Sequence, residues 1–238
     1  MCGIAGLIVK QSDTLQSDLV NMLKELVHRG RDATGLALYE QRDDIQARVS
    51  MTDPAFETNL HAIVEKYGRI ANSNVYRGGG IFYFFEGSID MDPGQISNLH
   101  WDIDSDENLC VHSLGKQIKV YKDQGSAEDL LKSHEIKVGR CTHGIGHVRL
   151  ATESVENINF AHPYVSYLYP ELSLVHNGQF TNYFKMRRKL ESLGIRFKTA
   201  NDTEMAAHFI AYQMKEKGQD LEGALHTALD TFDGLFTI

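Results

Sequence analysis

The chain has 238 residues, of which 42% are apolar and 24% are charged, and this balance is typical of a folded globular protein. Its formal net charge of −8 repels a phosphate backbone, so nucleic acid is not expected as a partner. The longest apolar stretches, such as 81–85, are far shorter than the ~18 residues of a membrane-spanning helix, which excludes membrane insertion.

The N-terminus and the cysteines indicate the compartment. No basic residue precedes Lys10, so the chain lacks the charged start of a secretory signal. The three cysteines, Cys2, Cys110 and Cys141, are an odd number at dispersed positions and form no disulfide framework. We therefore expect a cytoplasmic protein whose cysteines act as single thiols.

The first predicted elements are a strand, a helix and a second strand. Apolar runs at 4–9 and 35–39 are short and flanked by glycines, which favours buried strands. Between them, apolar residues recur at helical spacing from Leu15 to Val27, behind polar residues that can cap a helix, and the pattern ends near Gly30.

The segment from about 40 to 137 has weaker periodicity. It contains one predicted helix around 56–67 and strand-like runs at 80–85 and 117–121. Because it has neither an internal repeat nor a low-complexity tract, we interpret it as a folded elaboration of the domain and not as a linker.

Clear signals return from His143 onward. They predict strands at 143–150 and 172–175, helices at about 182–193, 203–217 and 221–231, and a last strand at 235–238. The chain ends inside that strand. This ending is consistent with a longer native chain or with a subdomain of something longer, and the sequence leaves both open.

Cys2 is the first candidate for chemistry. Removal of Met1 would place a thiol and a free α-amine on one residue, and their pKa values of about 8.5 and about 7.7–8.0 allow the amine to take the thiol proton near neutral pH. The thiolate can then attack an acyl carbon. For a lone cysteine near a terminus, packing in a buried strand is the simpler interpretation.

Three further motifs each have a chemical and a structural interpretation. Asn177 and Gly178 can form a hairpin turn, or can supply an amide and a backbone N–H to an oxyanion. Arg149, after a glycine-rich run, can clamp a carboxylate or form an ordinary ion pair. Asp202 lies at a helix start, where Asn201 and Glu204 resemble a capping box that would by itself explain it.

Five motifs in order carry a resemblance to a known family. They are Met1-Cys2-Gly3-Ile4-Ala5-Gly6, His28-Arg29-Gly30-Arg31-Asp32-Ala33-Thr34-Gly35, Gly144-Ile145-Gly146-His147-Val148-Arg149-Leu150-Ala151-Thr152, Val175-His176-Asn177-Gly178 and Asn201-Asp202-Thr203-Glu204. Together they resemble the class II glutamine amidotransferase domains of the N-terminal nucleophile hydrolase superfamily. The resemblance implies one domain over 1–238, of α+β class, built as a four-layer αββα sandwich of two stacked antiparallel sheets flanked by helices. It places the nucleophile at the start of a central strand.

The resemblance also assigns roles. Cys2 would attack the side-chain amide of L-glutamine, with its own α-amine as base, and the glutamyl thioester would then be hydrolysed. Asn177 and the Gly178 N–H would hold the oxyanion. The substrate-binding residues implied are Arg149, Thr152, Asp202 and Arg29, with Arg149 and Thr152 on the glutamine carboxylate and Asp202 on its ammonium group. Asp32 would be a structural partner of Arg29.

The chain departs from the family pattern at Arg31, Leu150 and Glu153, which bears on the glutamine lid and on coupling to an acceptor, but these changes remove no catalytic atom. The wide spacing between Gly35 and Gly144, with the run Ser113-Leu114-Gly115-Lys116 and the tail 233–236, most resembles stand-alone glutaminase subunits of the glutamate synthase and methylglutamate synthase type.

The preferred function is therefore a glutaminase subunit that passes ammonia to a separate synthase. No phosphate loop or flavin motif is visible in the chain, so no cofactor and no metal are expected in it, and a synthase like the family's would carry flavin and iron–sulfur groups. Two alternatives stay open. One is a catalytically silent glutamine-binding module, and the other is an N-terminal nucleophile hydrolase for another γ-glutamyl amide. The pair Cys141 and His143 is not expected to bind metal. The histidines 28, 147, 162 and 176 are expected to form hydrogen bonds beside the motifs.

Overall fold

The structure is a computed structural model and describes residues 2–150 and 158–238. Its strands are β1 Gly3–Ser12, β2 Ala33–Glu40, β3 Ile45–Met51, β4 Gly68–Arg77, β5 Tyr83–Met91, β6 Leu109–Gly115, β7 Ile118–Gln124, β8 Cys141–Arg149, β9 Tyr164–Ser166, β10 Tyr169–Leu174, β11 Asn177–Phe180 and β12 Gly234–Thr237. Its α-helices are α1 Leu15–Glu25, α2 Glu57–Val64, α3 Ile96–Asp104, α4 Ala127–Ser133, α5 Tyr183–Ser192, α6 Asp202–Lys217 and α7 Leu221–Thr231.

The first sheet is antiparallel, with the strand order β1-β8-β2-β7. The glycines of β8 let α1 lie close to it: a Cβ on Gly146 would stand 2.7 Å from Leu23 Cδ1, and one on Gly144 3.1 Å from Leu19 Cδ2. The buried leucines of α1 therefore pack against the backbone of β8. This explains the glycine alternation that the sequence shows before Arg149.

The layers follow from what covers each face of that sheet. Helices α1 and α4 pack on one face. On the other face, Ala37, Tyr39 and Ile145 pack with Val165 of β9, and α6 packs on the far side of the β9–β10 pair. The order helix, sheet, sheet, helix confirms the predicted α+β sandwich. One detail is wrong: among the described strands, β1 lies at the edge of its four-stranded sheet and not at its centre.

The segment between β2 and β7 forms a second four-stranded sheet. Its elements run β3-α2-β4-β5-α3-β6, and the strand order is β4-β5-β3-β6, all antiparallel. This is the arrangement of a split β-α-β unit. Apolar residues of β3 such as Val49 and Met51 pack with Leu60 of α2 and Leu99 of α3. The predicted helix at 56–67 and the strands at 80–85 and 117–121 correspond to α2, β5 and β7.

The C-terminal part contains the remaining predicted elements. Helices α5, α6 and α7 agree with the predicted ranges to within one residue at every end, and they share one apolar core with β10 and β11. The segment 177–178 is not a hairpin turn. It starts β11, which pairs with β12 so that Asn177 faces Thr237 and Gly178 faces Phe236. Across the described ranges, no helix is both long and apolar enough to cross a bilayer.

Candidate active site

Cys2 lies immediately before β1, with its side chain partly buried and its thiol free. Two side chains hold its backbone. The Arg29 Nε–H donates to the Cys2 carbonyl oxygen at 3.0 Å, and the Asn177 Nδ2–H donates to the same oxygen at 3.2 Å. Because both partners come from distant parts of the chain, the position of Cys2 depends on the folded domain. The other two cysteines are buried, and burial raises the pKa of the Cys110 thiol to about 12 and that of Cys141 to about 11.

Cys2 and Asn177 open onto a polar cavity of about 560 Å³. Arg149, at the end of β8, lines one part of it, and Asp202, in the first turn of α6, lines another. The remaining lining residues are His147, Leu150, Phe160, His162, His176, Gly178, Gln179, Ala200, Asn201 and Thr203. One cavity therefore contains a thiol, a carboxamide, a guanidinium and a carboxylate. A ligand with both an amino-acid carboxylate and an ammonium group finds an opposite charge for each.

Gly178 permits the shape of this site. Its φ is +129°, and a Cβ there would stand 2.1 Å from the carbonyl oxygen of Leu235 on β12. A side chain is excluded both by the backbone angle and by the lack of space. The strand following Asn177 can therefore approach β12 only because position 178 is glycine.

Arg29 lies apart from the cavity that holds Arg149 and Asp202. It lines a smaller neighbouring cavity of about 330 Å³, with Cys2, Leu235 and other residues of β12. In this structure its guanidinium positions the backbone of Cys2. Thr152, expected to assist Arg149, lies outside the described residues.

The segment after Arg29 supports Arg149 through the backbone. Asp32 N–H donates to the Arg149 carbonyl oxygen at 3.0 Å. A Cβ on Gly30 would lie 2.4 Å from the Arg149 carbonyl carbon. Position 30 must therefore lack a side chain for this segment to contact the end of β8.

The expected capping box before α6 forms only in part. Asn201 caps the helix, since its Oδ1 accepts from Thr203 N–H at 2.8 Å. Glu204 instead turns to the preceding loop, where its carboxylate accepts from the backbone N–H groups of Lys198 and Thr199, each at 2.7 Å. The buried Glu204 thus holds the loop that leads into Asp202, a role that the sequence pattern did not indicate.

Three of the four histidines expected beside the motifs form hydrogen bonds around the site. His147 Nε2 lies 2.9 Å from Asn177 Oδ1, His162 Nε2 lies 3.2 Å from Thr203 Oγ1, and His176 Nδ1 lies 3.0 Å from the same hydroxyl. Burial lowers the pKa of His147 to about 4 and that of His162 well below its usual value. These two rings are neutral at pH 7.

The fourth histidine, His28, bonds the carbonyl oxygen of Glu25 and is exposed. Within 2–150 and 158–238, no group of three or more His, Cys, Asp or Glu side chains is arranged to hold a metal ion.

Comparison with known proteins identifies the family to which this chain is similar. A family model described as "Glutamine amidotransferase domain" matches residues 147–236. A protein of Methanothermobacter thermautotrophicus, described as a candidate glutamine amidotransferase, is 33% identical over all of this chain and 80% of its own length. The glutamine amidotransferase-like protein GlxB of Rhizobium meliloti is 32% identical over all of this chain and 78% of its own.

Two more distant similarities concern longer proteins. A glutamine–fructose-6-phosphate aminotransferase of M. thermautotrophicus is 36% identical over 56% of this chain and 22% of its own length. The solved structure of an allosteric regulatory enzyme of purine biosynthesis superposes with a TM-score of 0.56 at 17% identity, over 99% of this chain and 34% of that one. The latter supports the fold alone.

Proposed function

The chain belongs to the glutamine amidotransferase family, and on that premise we propose that it hydrolyses L-glutamine through a Cys2 thioester and supplies the ammonia to a separate synthase protein. The observation that carries the proposal is the single cavity in which Cys2 and Asn177 lie with Arg149 and Asp202.

The proposed reaction begins once Met1 has been removed. The α-amine of Cys2 takes the thiol proton, and the thiolate sulfur forms a bond to the amide carbon of glutamine. The C–N bond then breaks, and the proton held by the α-ammonium group goes to the leaving nitrogen, so that ammonia departs. Water attacks the resulting thioester, and proton transfer through the same amine returns the thiol and releases glutamate.

The proposed binding mode follows the charges of the cavity. The glutamine carboxylate binds Arg149 and its ammonium group binds Asp202, which directs the side-chain amide toward Cys2. The negative oxygen of the tetrahedral intermediate accepts from the Asn177 amide and the Gly178 N–H, which stabilise it more than the neutral carbonyl. Arg29 holds the backbone of Cys2 through its bond to the Cys2 carbonyl oxygen.

The separate acceptor is proposed from the sizes of the relatives. The two relatives that align over the whole chain are only modestly longer than it, since it spans 80% and 78% of their lengths. The aminotransferase relative is much longer, since the match spans 22% of it. A glutaminase protein of the smaller kind would need a partner to use its ammonia, and a glutamate synthase-like enzyme is the acceptor that we propose.

The test is the intact mass of the purified protein before and after reaction with a diazoketone analogue of glutamine, together with a glutamine hydrolysis assay. We expect the mass to lack Met1 and to gain one adduct, which Cys2→Ala abolishes. Cys110→Ala is the matched control and keeps the adduct, since its thiol is buried and has a high pKa.

The other outcomes separate the alternatives. If calorimetry shows glutamine binding but neither the adduct nor hydrolysis is observed, even with a synthase present, the chain is a silent binding module. Cleavage of γ-glutamyl peptides with no action on glutamine identifies a different amidohydrolase. Full activity of the solitary chain with no co-purifying synthase from the native source contradicts the subunit role and leaves the glutaminase role intact.

A further inference from the structure

We propose that His147 is a positioning residue: its Nε2–H group holds the Asn177 side-chain amide in the orientation that points the Nδ2–H groups toward Cys2 and the oxyanion. This inference rests on the proposed function, because the amide orientation matters only if Cys2 attacks an amide carbon.

The orientation of the Asn177 amide follows from its partners. One end of the amide lies 3.2 Å from the Cys2 carbonyl oxygen, which can only accept, so that end is the Nδ2 donor. The other end, Oδ1, therefore faces His147 Nε2 at 2.9 Å. An amide oxygen can only accept, so the His147 Nε2 must carry a proton.

The charge state of His147 fits this assignment. Burial lowers its pKa to about 4, so the ring is neutral at pH 7 and carries one proton, which lies on Nε2. A neutral donor fixes the amide without adding a cation beside Arg149, where the glutamine carboxylate would bind.

The ring of His147 is itself fixed in place. Its backbone lies in β8, paired with Ile4 of β1 on one side and Gly35 of β2 on the other. Its side chain is 2% exposed, and its ring centroid lies 4.3 Å from that of His162. The backbone of His147 is paired on both sides and its buried ring packs against a second buried ring, so the ring has little freedom to turn.

His162 is held in the same directional way. The backbone N–H of His176 donates to its Nδ1 at 3.1 Å. Since the His162 ring is neutral, its proton lies on Nε2 and donates to Thr203 Oγ1 at 3.2 Å. These bonds fix the ring against which His147 packs, and they link the support of Asn177 to the start of α6 beside Asp202.

The energetic reason concerns the transition state. If the Asn177 amide flipped, Oδ1 would face the Cys2 carbonyl and the developing negative charge, and both contacts would become repulsive. Loss of one oxyanion donor lowers kcat by about 10²–10³-fold. The substrate's ammonium and carboxylate contacts are elsewhere in the cavity, so ground-state binding should change little.

The test compares His147→Gln, His147→Asn and His147→Phe in the glutamine hydrolysis assay. In His147→Gln the side-chain amide nitrogen reaches about as far as the histidine Nε2, whereas the side chain of His147→Asn is one methylene shorter. We expect kcat to fall roughly 100-fold for His147→Asn and His147→Phe, with KM changed less than about threefold, and to stay within about tenfold of wild type for His147→Gln.

The controls address folding and binding. His143→Phe changes another histidine of β8 that stacks on Tyr39 at 4.1 Å and does not line the cavity, and it should keep wild-type kinetics. Glutamine affinity, measured by calorimetry in a Cys2→Ala background, should be the same with and without His147→Asn. If His147→Phe does not fold, the asparagine and glutamine pair decides the outcome.

Three results would each overturn the positioning role and leave the proposed function standing. They are a wild-type kcat in His147→Asn, an equal loss of kcat in His147→Asn and His147→Gln, and an effect on KM alone. A wild-type protein with neither hydrolysis nor a Cys2 adduct, even with a synthase present, overturns both.

Discussion

At the scale of single residues, Gly178 combines two constraints that can be measured separately. Its φ of +129° disfavours any side chain, and its position leaves a Cβ only 2.1 Å from Leu235 O. We expect Gly178→Ala to lower kcat for glutamine by at least roughly 100-fold, because the displaced backbone N–H is one proposed oxyanion donor. The unfolding midpoint should also fall, since β11 must separate from β12.

The matched control is Gly194→Ala. Gly194 also has a positive φ, +84°, but a Cβ there would contact nothing within 4 Å. This variant should lose only about 1 kcal/mol of unfolding free energy from the backbone angle, with kcat unchanged. Urea unfolding and the hydrolysis assay measure both quantities. Equal activity in the two alanine variants would show that steric contact at 178 is unimportant.

The same position shows what local sequence can and cannot predict. The pair Asn177 and Gly178 has the composition of a hairpin turn because glycine and asparagine tolerate positive φ. The positive φ at Gly178 is present, but it serves a close strand pairing with Phe236, 58 positions along the chain from Gly178. Local composition predicted the backbone angle and could not predict the distant strand that requires it.

At the scale of elements, the strands of the first sheet were predictable and several strands of the second were not. In β1, β2 and β8 most buried positions are apolar or glycine, and the buried polar residues are Thr34, Glu40 and His147. In β3 and β6, buried polar residues such as Arg48, Ser50, His112 and Ser113 interrupt the apolar pattern. Their partners lie on other strands, so a window of sequence gives no reason for their burial.

Arg48 shows how these polar groups join the two sheets. It is 1% exposed. Its Nε–H donates to Val120 O of β7 at 2.9 Å, and its Nη1 lies 2.7 Å from Glu86 Oε2 on β5. The guanidinium carbon also lies 4.1 Å from the ring centroid of Tyr121. One side chain thus ties the inserted unit, residues 45–115 between β2 and β7, to β7 of the first sheet.

We expect Arg48→Met to destabilise the protein by about 3–5 kcal/mol, because it leaves the Glu86 carboxylate and Val120 O without this donor. Glu86→Gln should cost less in the Arg48→Met background than in the wild type, since the two residues interact. The matched control is Arg69→Met: its ion pair with Asp90 is 80% and 65% exposed and should contribute no more than about 1 kcal/mol. Urea unfolding of the wild type, the two single variants Arg48→Met and Glu86→Gln and their double variant completes the double-mutant cycle, and Arg69→Met is measured in the same way. Additive effects of the two substitutions would contradict a direct Arg48–Glu86 interaction.

At the scale of the whole molecule, the histidines are distributed unusually. Seven of them are buried in the described residues: His100, His112, His134, His147, His162, His176 and His208. Burial lowers the pKa of His112 and His162 well below the usual value and that of His147 to about 4, and it also lowers that of His134. Neutral imidazoles thus support both the site and the inserted unit.

These lowered values make stability depend on pH with a definite sign. In the unfolded chain a histidine gains a proton near pH 6.5, whereas His147 in the folded protein gains one only near pH 4. Between these values the unfolded state binds more protons, so the stability present above pH 6.5 is lost as the pH falls. Burial raises the pKa of Glu171, and this one carboxyl acts in the opposite direction.

We therefore expect the free energy of unfolding to fall as the pH is lowered below about 6.5 toward pH 5, by about 1.4 kcal/mol per pH unit for each histidine held neutral. His112 is buried and its pKa lies well below the usual value, so His112→Gln should reduce that slope by about 1.4 kcal/mol per pH unit. Its Nε2 lies 3.0 Å from Ser50 Oγ in the inserted unit. His226→Gln, at a position exposed on α7, should leave the slope unchanged. Urea unfolding at several pH values measures all three proteins, and a wild-type slope in His112→Gln would show that His112 is charged in the folded state or does not remain buried.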